Sequence, residues 1–387
     1  MAYNWGSVSY STNTITKDDY VAQPRHKQST DDTAQSDESS SSGLSSPSSV
    51  SSASQRSRRI LLPPPFLTGN KDSNNRLLQD EYIIHRPDEG TPRWQILGKI
   101  GRGGFGEIYR ARDLVLDQDV AVKCGERTRP KDIARTLFEI EVLRKSNENG
   151  LKHSPLLIGS GQEPKNDPNF TFIVMQLLSR NLSDVRREAP SARLSAGSAL
   201  QCAYQAIEAV RDLHTVIGIV HRDVKPSNMA FGITPSTSRT LYMIDFGLVR
   251  HILDDDMNLI QARPHRVGFR GTTRYASIRV HNRWDPGRAD DLMALFYSLI
   301  EITNGGLPWR HIRTGDETKA MKQQYHDSPI QMHSLCQRLP AQIPQIERLL
   351  SSTRYEDQPD YEKILQLVEQ AMTSAGCKRD DPYDWEI

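Results

Sequence analysis

The sequence predicts a two-lobed α+β domain, with a small antiparallel sheet lobe carrying one helix, a larger and mostly helical lobe, and a long N-terminal tail in front. Three observations predict it. Strand-like alternation and short apolar runs crowd the interval from Trp94 to Met175, while the longer apolar segments after Gly197 have helical spacing. Before about Gly90 hydrophobic periodicity is poor, and a serine tract runs from Ser36 to Ser57. A chain of 387 residues is long enough for such a domain. The expected division is a disordered Ser-rich tail over 1–90 and a folded domain over 91–387, with the small lobe at about 91–176 and the large lobe at about 179–387.

Composition narrows the partners. The formal net charge is +1, so bulk electrostatics favour neither nucleic acid nor an acidic membrane surface. No apolar stretch approaches the ~20 residues that a membrane span needs. Cys124, Cys202, Cys336 and Cys377 are scattered without a CxxC pair, which reads as reduced thiols in the cytoplasm or nucleus.

Within the tail, Arg56-Ser57-Arg58-Arg59 follows the serine tract, and Ile60 to Phe66 could form a short extended segment. Serines beside arginines are candidate phosphorylation sites; a plain flexible tail is the simpler reading.

Trp94 to Ile100 alternates like a strand and runs into Gly101-Arg102-Gly103-Gly104-Phe105-Gly106, after which Glu107 to Ala111 alternates again. A dinucleotide fold would continue as a helix after the last glycine. A second strand instead makes a glycine-rich hairpin, whose backbone N–H groups can close over phosphates, with Ile108 beneath the nucleotide. Val120-Ala121-Val122-Lys123 is a short strand with one lysine, suited to bridging the α- and β-phosphates. The helical segment from Asp132 to Lys145 offers Glu139 and Glu141 as its partner. These two lie about 200° apart around a helix, so only one can face Lys123.

Phe170 to Met175 reads as a buried strand, followed at Gln176-Leu177-Leu178 by a hinge able to hydrogen-bond an adenine. Met175 would stand at the back of the pocket, or serve as a core methionine. Gly197 to His214 is an amphipathic helix leading to His221-Arg222-Asp223-Val224-Lys225-Pro226-Ser227-Asn228. That octapeptide places a carboxylate to orient a hydroxyl (Asp223), a cation for a γ-phosphate (Lys225) and a carboxamide for Mg2+ (Asn228) on one loop. A lone His-Arg-Asp would more often be a charged turn. The apolar strand at Leu241 to Ile244 then ends in Asp245-Phe246-Gly247, where Asp245 is a second magnesium ligand.

From His251 to Tyr275 the chain is basic, with Arg263, His265, Arg266, Arg270 and Arg274. A solvated face accounts for most of these; the sharper alternative is an anion pocket for acidic or phosphorylated substrates. Further helices are expected after Asp291, over Ile346 to Leu350 and over Tyr361 to Met372. The last residues, Asp381 to Glu386, are aromatic enough to pack on the large lobe.

The ordered set from Trp94 to the C-terminus resembles a eukaryotic protein kinase. Gly271-Thr272-Thr273-Arg274-Tyr275-Ala276-Ser277-Ile278-Arg279, in place of an Ala-Pro-Glu ending, resembles the casein kinase I superfamily. Pro235 to Arg239, Gly268 to Thr272 and the terminal Asp-Pro-Tyr-Asp-Trp-Glu are similar to its tau-tubulin kinase branch. The resemblance implies a monomeric serine/threonine kinase using ATP and Mg2+ on protein substrates that are acidic, phospho-primed or cytoskeletal. It implies that Glu139 pairs with Lys123, that Thr272 contacts Asp223 and Lys225, that Asp291 braces the catalytic loop, and that Lys322 joins Arg266 and Arg270 in the anion site. Arg279 replaces the usual glutamate, so the ion pair common at that point is absent and its substitute is open. A pseudokinase scaffold is the rival, weakened by the presence of Lys123, Asp223 and Asp245.

Overall fold

A computed structural model describes residues 76–87, 90–103, 106–126, 130–162 and 170–386. All of them belong to the compact unit Asn70–Ile387. The serine tract, the segment from Ile60 to Phe66, Gly104 and Phe105 lie outside the described residues.

The first lobe contains β1 (Ile83–His85), β2 (Pro92–Gly103), β3 (Gly106–Asp113), β4 (Gln118–Glu126), α1 (Pro130–Glu148), β5 (Leu157–Gln162) and β6 (Phe170–Gln176). Its strands form one antiparallel sheet in the order β1-β2-β3-β4-β6-β5. Residues on β3 alternate between half-buried and buried, as a strand with one packed face must. The packed face holds Trp94, Ile96, Tyr109, Val120, Val122, Phe172 and Val174, with Trp94 edge-on to Phe172 at 5.7 Å between centroids.

The sheet begins earlier than the sequence suggests. Ile83–His85 pairs with β2, Leu78 is fully buried, and the backbone N–H groups of Leu77 and Leu78 donate to Glu107 (2.8 Å) and the Tyr109 hydroxyl (2.9 Å). The folded lobe therefore already includes residues 76–87, ahead of the boundary expected near residue 90. A three-residue strand between polar segments carries too little periodicity to be read from sequence.

The second lobe runs β7 (Leu178–Asn181), α2 (Leu182–Glu188), α3 (Ala196–Asp212), β8 (Ile219–Val220), β9 (Met229–Gly232), β10 (Leu241–Met243), β11 (Arg250–His251), α4 (Ile278–His281), α5 (Arg288–Asn304), α6 (Gly315–Asp327), α7 (Pro329–Leu335), α8 (Ile343–Ser352) and α9 (Tyr361–Ser374). Helices α3, α5, α8 and α9 pack into one apolar core, with Leu200, Ile207, Val210, Ile300, Leu350 and Val368 inside. The Ser195 hydroxyl caps α3 at the Ser198 N–H (3.1 Å). Asp384, from the C-terminal segment, then accepts from both Ser195 and Ser198. Beside it Tyr383 and Trp385 stack at 4.4 Å, and Arg239 lies over the Tyr383 ring. The aromatic C-terminus is thus packed on the large lobe, as its composition suggests.

Candidate active site

The hairpin β2–β3 brings Gly103 opposite Gly106, and Gly101 opposite Ile108. A side chain at Gly106 would collide with the Cys124 carbonyl of β4, so only glycine lets the hairpin lie against its neighbour. Across the same sheet Ile108 pairs with Lys123.

Lys123 is buried between two carboxylates from distant elements. Its Nζ donates to Glu139 Oε1 and Oε2 of α1 at 2.8 and 2.7 Å, and to Asp245 Oδ1 at 2.9 Å. Of the two helical candidates, Glu139 faces inward; Glu141 pairs with Lys145 nearer the surface. Burial opposes the Lys123 charge, but Glu139 and Asp245 outweigh it and raise the lysine above its ordinary value. Burial likewise pushes Asp245 up, and Lys123 more than offsets this, leaving the carboxyl below the usual aspartate range. Asp245 has φ 66°, the left-handed region, a strained position of the kind found at functional sites. The turn it opens seats Phe246 in the core, 5.6 Å from the His221 ring.

The octapeptide loop is held from below. Asp291, in the first turn of α5 and buried, accepts the N–H groups of His221 (2.6 Å) and Arg222 (2.8 Å), and His214 Nε2 lies 3.0 Å away. Burial raises this carboxyl, yet His214 and the loop N–H groups bring it below the ordinary range. Arg222, also at positive φ, donates to the carbonyls of Leu248 (2.5 Å) and Val249 (3.1 Å) and fixes the chain after the Asp-Phe-Gly turn.

On the loop, Lys225 Nζ donates to Asp223 Oδ2 at 2.6 Å and to Thr272 Oγ1 at 3.3 Å, and the Thr272 hydroxyl donates to Asp223 Oδ1 at 2.7 Å. Asn228 donates through Nδ2 to the Asp223 carbonyl at 2.9 Å. Gly271, at φ 89°, allows this approach, since a side chain there would strike the Arg222 carbonyl. The Asn228 and Asp245 oxygens are hard donors of the type magnesium prefers, and Nδ2 is turned to the backbone. Met175 and Gln176 end β6, and Leu178 opens β7, so the three expected nucleotide contacts sit at the joint between lobes.

The anion site changes. Arg266 and Arg270 are exposed and pair with no described residue, but Lys322 is not their companion. It is fully buried on α6, donating to the carbonyls of Thr273 (3.0 Å) and Ala276 (2.6 Å), with the rings of Tyr297 and Trp309 at 4.7 and 5.2 Å. Burial lowers its pKa to about 6. Two of the other cations are likewise spoken for: Arg263 pairs with Asp285, and Arg274 with Glu301.

These contacts also answer what stands in for the missing ion pair at Arg279. Ser277 donates to Asp290 at 2.5 Å with Arg279 at 3.8 Å, Tyr275 and Arg274 share Glu301, and the Trp309 Nε1–H donates to the Arg274 carbonyl at 2.8 Å. Lys322 completes the brace. Neither Asp290 nor Glu301 stands in a sequence motif, whereas Asp291 braces the catalytic loop as the resemblance implies.

Residues 94–378 match the protein kinase domain model. The chain belongs to the protein kinase family. Among its relatives, a Dictyostelium discoideum protein provisionally named a serine/threonine-protein kinase is 39% identical over 76% of this chain, a match spanning 57% of that protein. A Caenorhabditis elegans protein provisionally named casein kinase I is 34% identical, over 76% of this chain and 83% of its own length. A second from C. elegans, provisionally named a serine/threonine-protein kinase, is 32% identical over 76% and 82% respectively. The kinase is a serine/threonine protein kinase, and its two-lobed architecture is that of the family.

Proposed function

We propose that this kinase transfers the γ-phosphoryl group of ATP to Ser and Thr hydroxyls of proteins, and that it sits on the tau-tubulin kinase-like side of the casein kinase I group. The observation that carries the reaction is the triangle of Asp223, Lys225 and Thr272, all within hydrogen-bond distance, with Lys225 also near enough to Asp245 of the Lys123–Glu139–Asp245 cluster to help hold its carboxyl below the ordinary range. Asp223 orients the attacking hydroxyl and takes its proton, and Thr272, bound to the same carboxylate, holds the substrate side in register. Lys225 offsets charge on the group in transfer. Lys123, kept in place by Glu139, binds the α- and β-phosphates. Asn228 and Asp245 would hold magnesium, which when bound neutralises the β- and γ-phosphate oxygens. With the reacting groups fixed in advance, positioning and electrostatics supply most of the rate.

A preference for acidic or phosphorylated targets follows from Arg266 and Arg270, exposed just ahead of Thr272 in the sequence and without internal carboxylate partners among the described residues. The cysteines are scattered along the sequence without a CxxC pair, which suits a cytoplasmic or nuclear protein. Labelling casein with ATP and magnesium, followed by phosphoamino-acid analysis, tests the reaction; label on Ser and Thr is expected, and label on Tyr contradicts it. A peptide library tests the preference, which fails if acidic and neutral flanks are phosphorylated alike.

A further inference from the structure

Glu107 is a charged residue on a face of β3 that otherwise packs into the core. It follows the last glycine of the hairpin, and burial alternates from there along Gly106–Asp113, so that Glu107 shares its side of the strand with the buried Tyr109 and Ala111. Ile108, between them, faces the other side with its cross-strand partner Lys123. Only 6% of Glu107 is exposed. A carboxylate so placed is costly unless donors surround it.

Three donors do, each from a different segment. Lys99 on β2 forms an ion pair with Oε1, the Tyr109 hydroxyl on β3 donates to Oε2, and the Leu77 backbone N–H donates to Oε2 at 2.8 Å. Burial pushes the carboxyl up, and these donors more than offset it, bringing it below the ordinary glutamate range. The third donor belongs to a strap ahead of β1. Leu78 is buried in the same core as Tyr109, whose hydroxyl accepts its N–H at 2.9 Å. The Glu81 N–H then donates to the Ile96 carbonyl (2.8 Å), and the Ile96 N–H to the Tyr82 carbonyl (2.9 Å). Residues 76–82 are thereby tied to both arms of the hairpin.

The hairpin needs such a tie. Strand β2 shifts register against β3 twice, between Ile96 and Gly98 and between Lys99 and Gly101, so the ladder is interrupted on both sides of Lys99. The glycines that follow bring no side chains with which to hold the turn.

We infer that Glu107 is a positioning residue for the glycine-rich hairpin, anchored on the strap at residues 76–82, so that the grip of this kinase on the ATP phosphates depends on chain ahead of the domain match at 94–378. Glu107 acts through the hairpin arms, whose slope against the sheet it fixes. The inference rests on the kinase reading above.

The test uses the full chain with ATP as substrate and adenosine as a competing probe, since adenosine reaches the hinge but carries no phosphate for the hairpin to cover. Glu107→Gln should raise KM for ATP about 3–10-fold, the factor that one net hydrogen bond is worth, with kcat, KM for peptide and the inhibition constant of adenosine close to wild type. Leu77→Pro removes the strap N–H and leaves Glu107, Lys99 and Tyr109 in place. It should raise KM for ATP by a similar factor, whereas Leu77→Ala, which keeps the N–H, should lie much nearer to wild type. The double variant of Glu107→Gln and Leu77→Pro should be no worse than Glu107→Gln alone, because both break one interaction. General loosening of the small lobe would weaken ATP and adenosine together, so the ratio of the two separates a misplaced hairpin from a damaged lobe even in a variant that melts earlier. Either Glu107→Gln or Leu77→Pro at the wild-type KM for ATP overturns the inference, as do equal losses for ATP and adenosine. A wild type that transfers no phosphate overturns the kinase reading instead.

Discussion

The proposed nucleotide side and the proposed substrate side of the active site are held by different means. On the nucleotide side Lys123, Glu139 and Asp245 are charged groups that bind one another directly, across three elements far apart in sequence. On the substrate side, apart from Thr272 at Asp223 and Lys225, the chain from Arg250 to Ser277 is held by groups outside the proposed chemistry, with Asp285, Glu301, Asp290 and Lys322 gripping side chains and backbone carbonyls. The first arrangement makes catalytic charges structural as well. The second separates the two roles, so that substrate positioning can be altered while the reacting groups stay in place.

That difference can be broken from either side. Lys123→Met should be the most severe change, lowering kcat/KM for ATP by about 10²–10³-fold, the scale of losing a preorganised electrostatic contact, and leaving the buried Glu139 and half-buried Asp245 carboxylates without their shared cation. Steady-state kinetics on ATP checks it. Asp291→Ala should act next most strongly, this time on stability, because two buried N–H groups and His214 lose their acceptor. A loss of roughly 3 kcal/mol in a urea titration is expected.

Lys322→Met should sharpen the contrast. With Thr273 and Ala276 released, KM for peptide should rise roughly 3–10-fold, equally for primed and unprimed peptides, while intrinsic ATP hydrolysis is unchanged. The same variant has a pH signature. Folding lowers this pKa from the ordinary lysine value to about 6, so between the two values the unfolded chain holds the extra proton. Stability should therefore rise with pH through neutrality, and melting curves of Lys322→Met at pH 6.5 and 8.5 should show a smaller difference than those of wild type. The mildest effect expected is from charge reversal at Arg266 and Arg270, which should lower kcat/KM about threefold or more on phospho-primed peptides alone. Equal losses on unprimed peptides would remove the anion role.

The same contrast explains how much was legible in the sequence. Lys123, Asp223, Lys225, Asn228 and Asp245 stand in short motifs whose order and spacing already implied one cleft, and the structure brings them together. The Glu139 and Glu141 choice needed more than spacing, since helical geometry excludes one of the pair without saying which. The substrate-side brace was not legible. Helix α6 reads Thr-Lys-Ala-Met-Lys-Gln-Gln, a polar stretch in which a lysine looks solvated. Lys322 is buried only because Tyr297 and Trp309, on other elements, close over it. Asp285 likewise sits in an unremarked loop, and its value comes from two arginines 35 and 22 positions away. Strand β1 failed for another reason: three residues are too few to show alternation.

Asp223, fixed between Lys225 and Thr272, is proposed to orient and deprotonate the hydroxyl that receives the phosphoryl group. The direct measurement is kcat for wild type and Asp223→Asn on one serine peptide with ATP and magnesium, alongside their melting temperatures. A loss of roughly 10²–10⁴-fold is expected, the usual contribution of a positioned general base, with little change in melting temperature. A folded Asp223→Asn enzyme within a few-fold of wild type would contradict it.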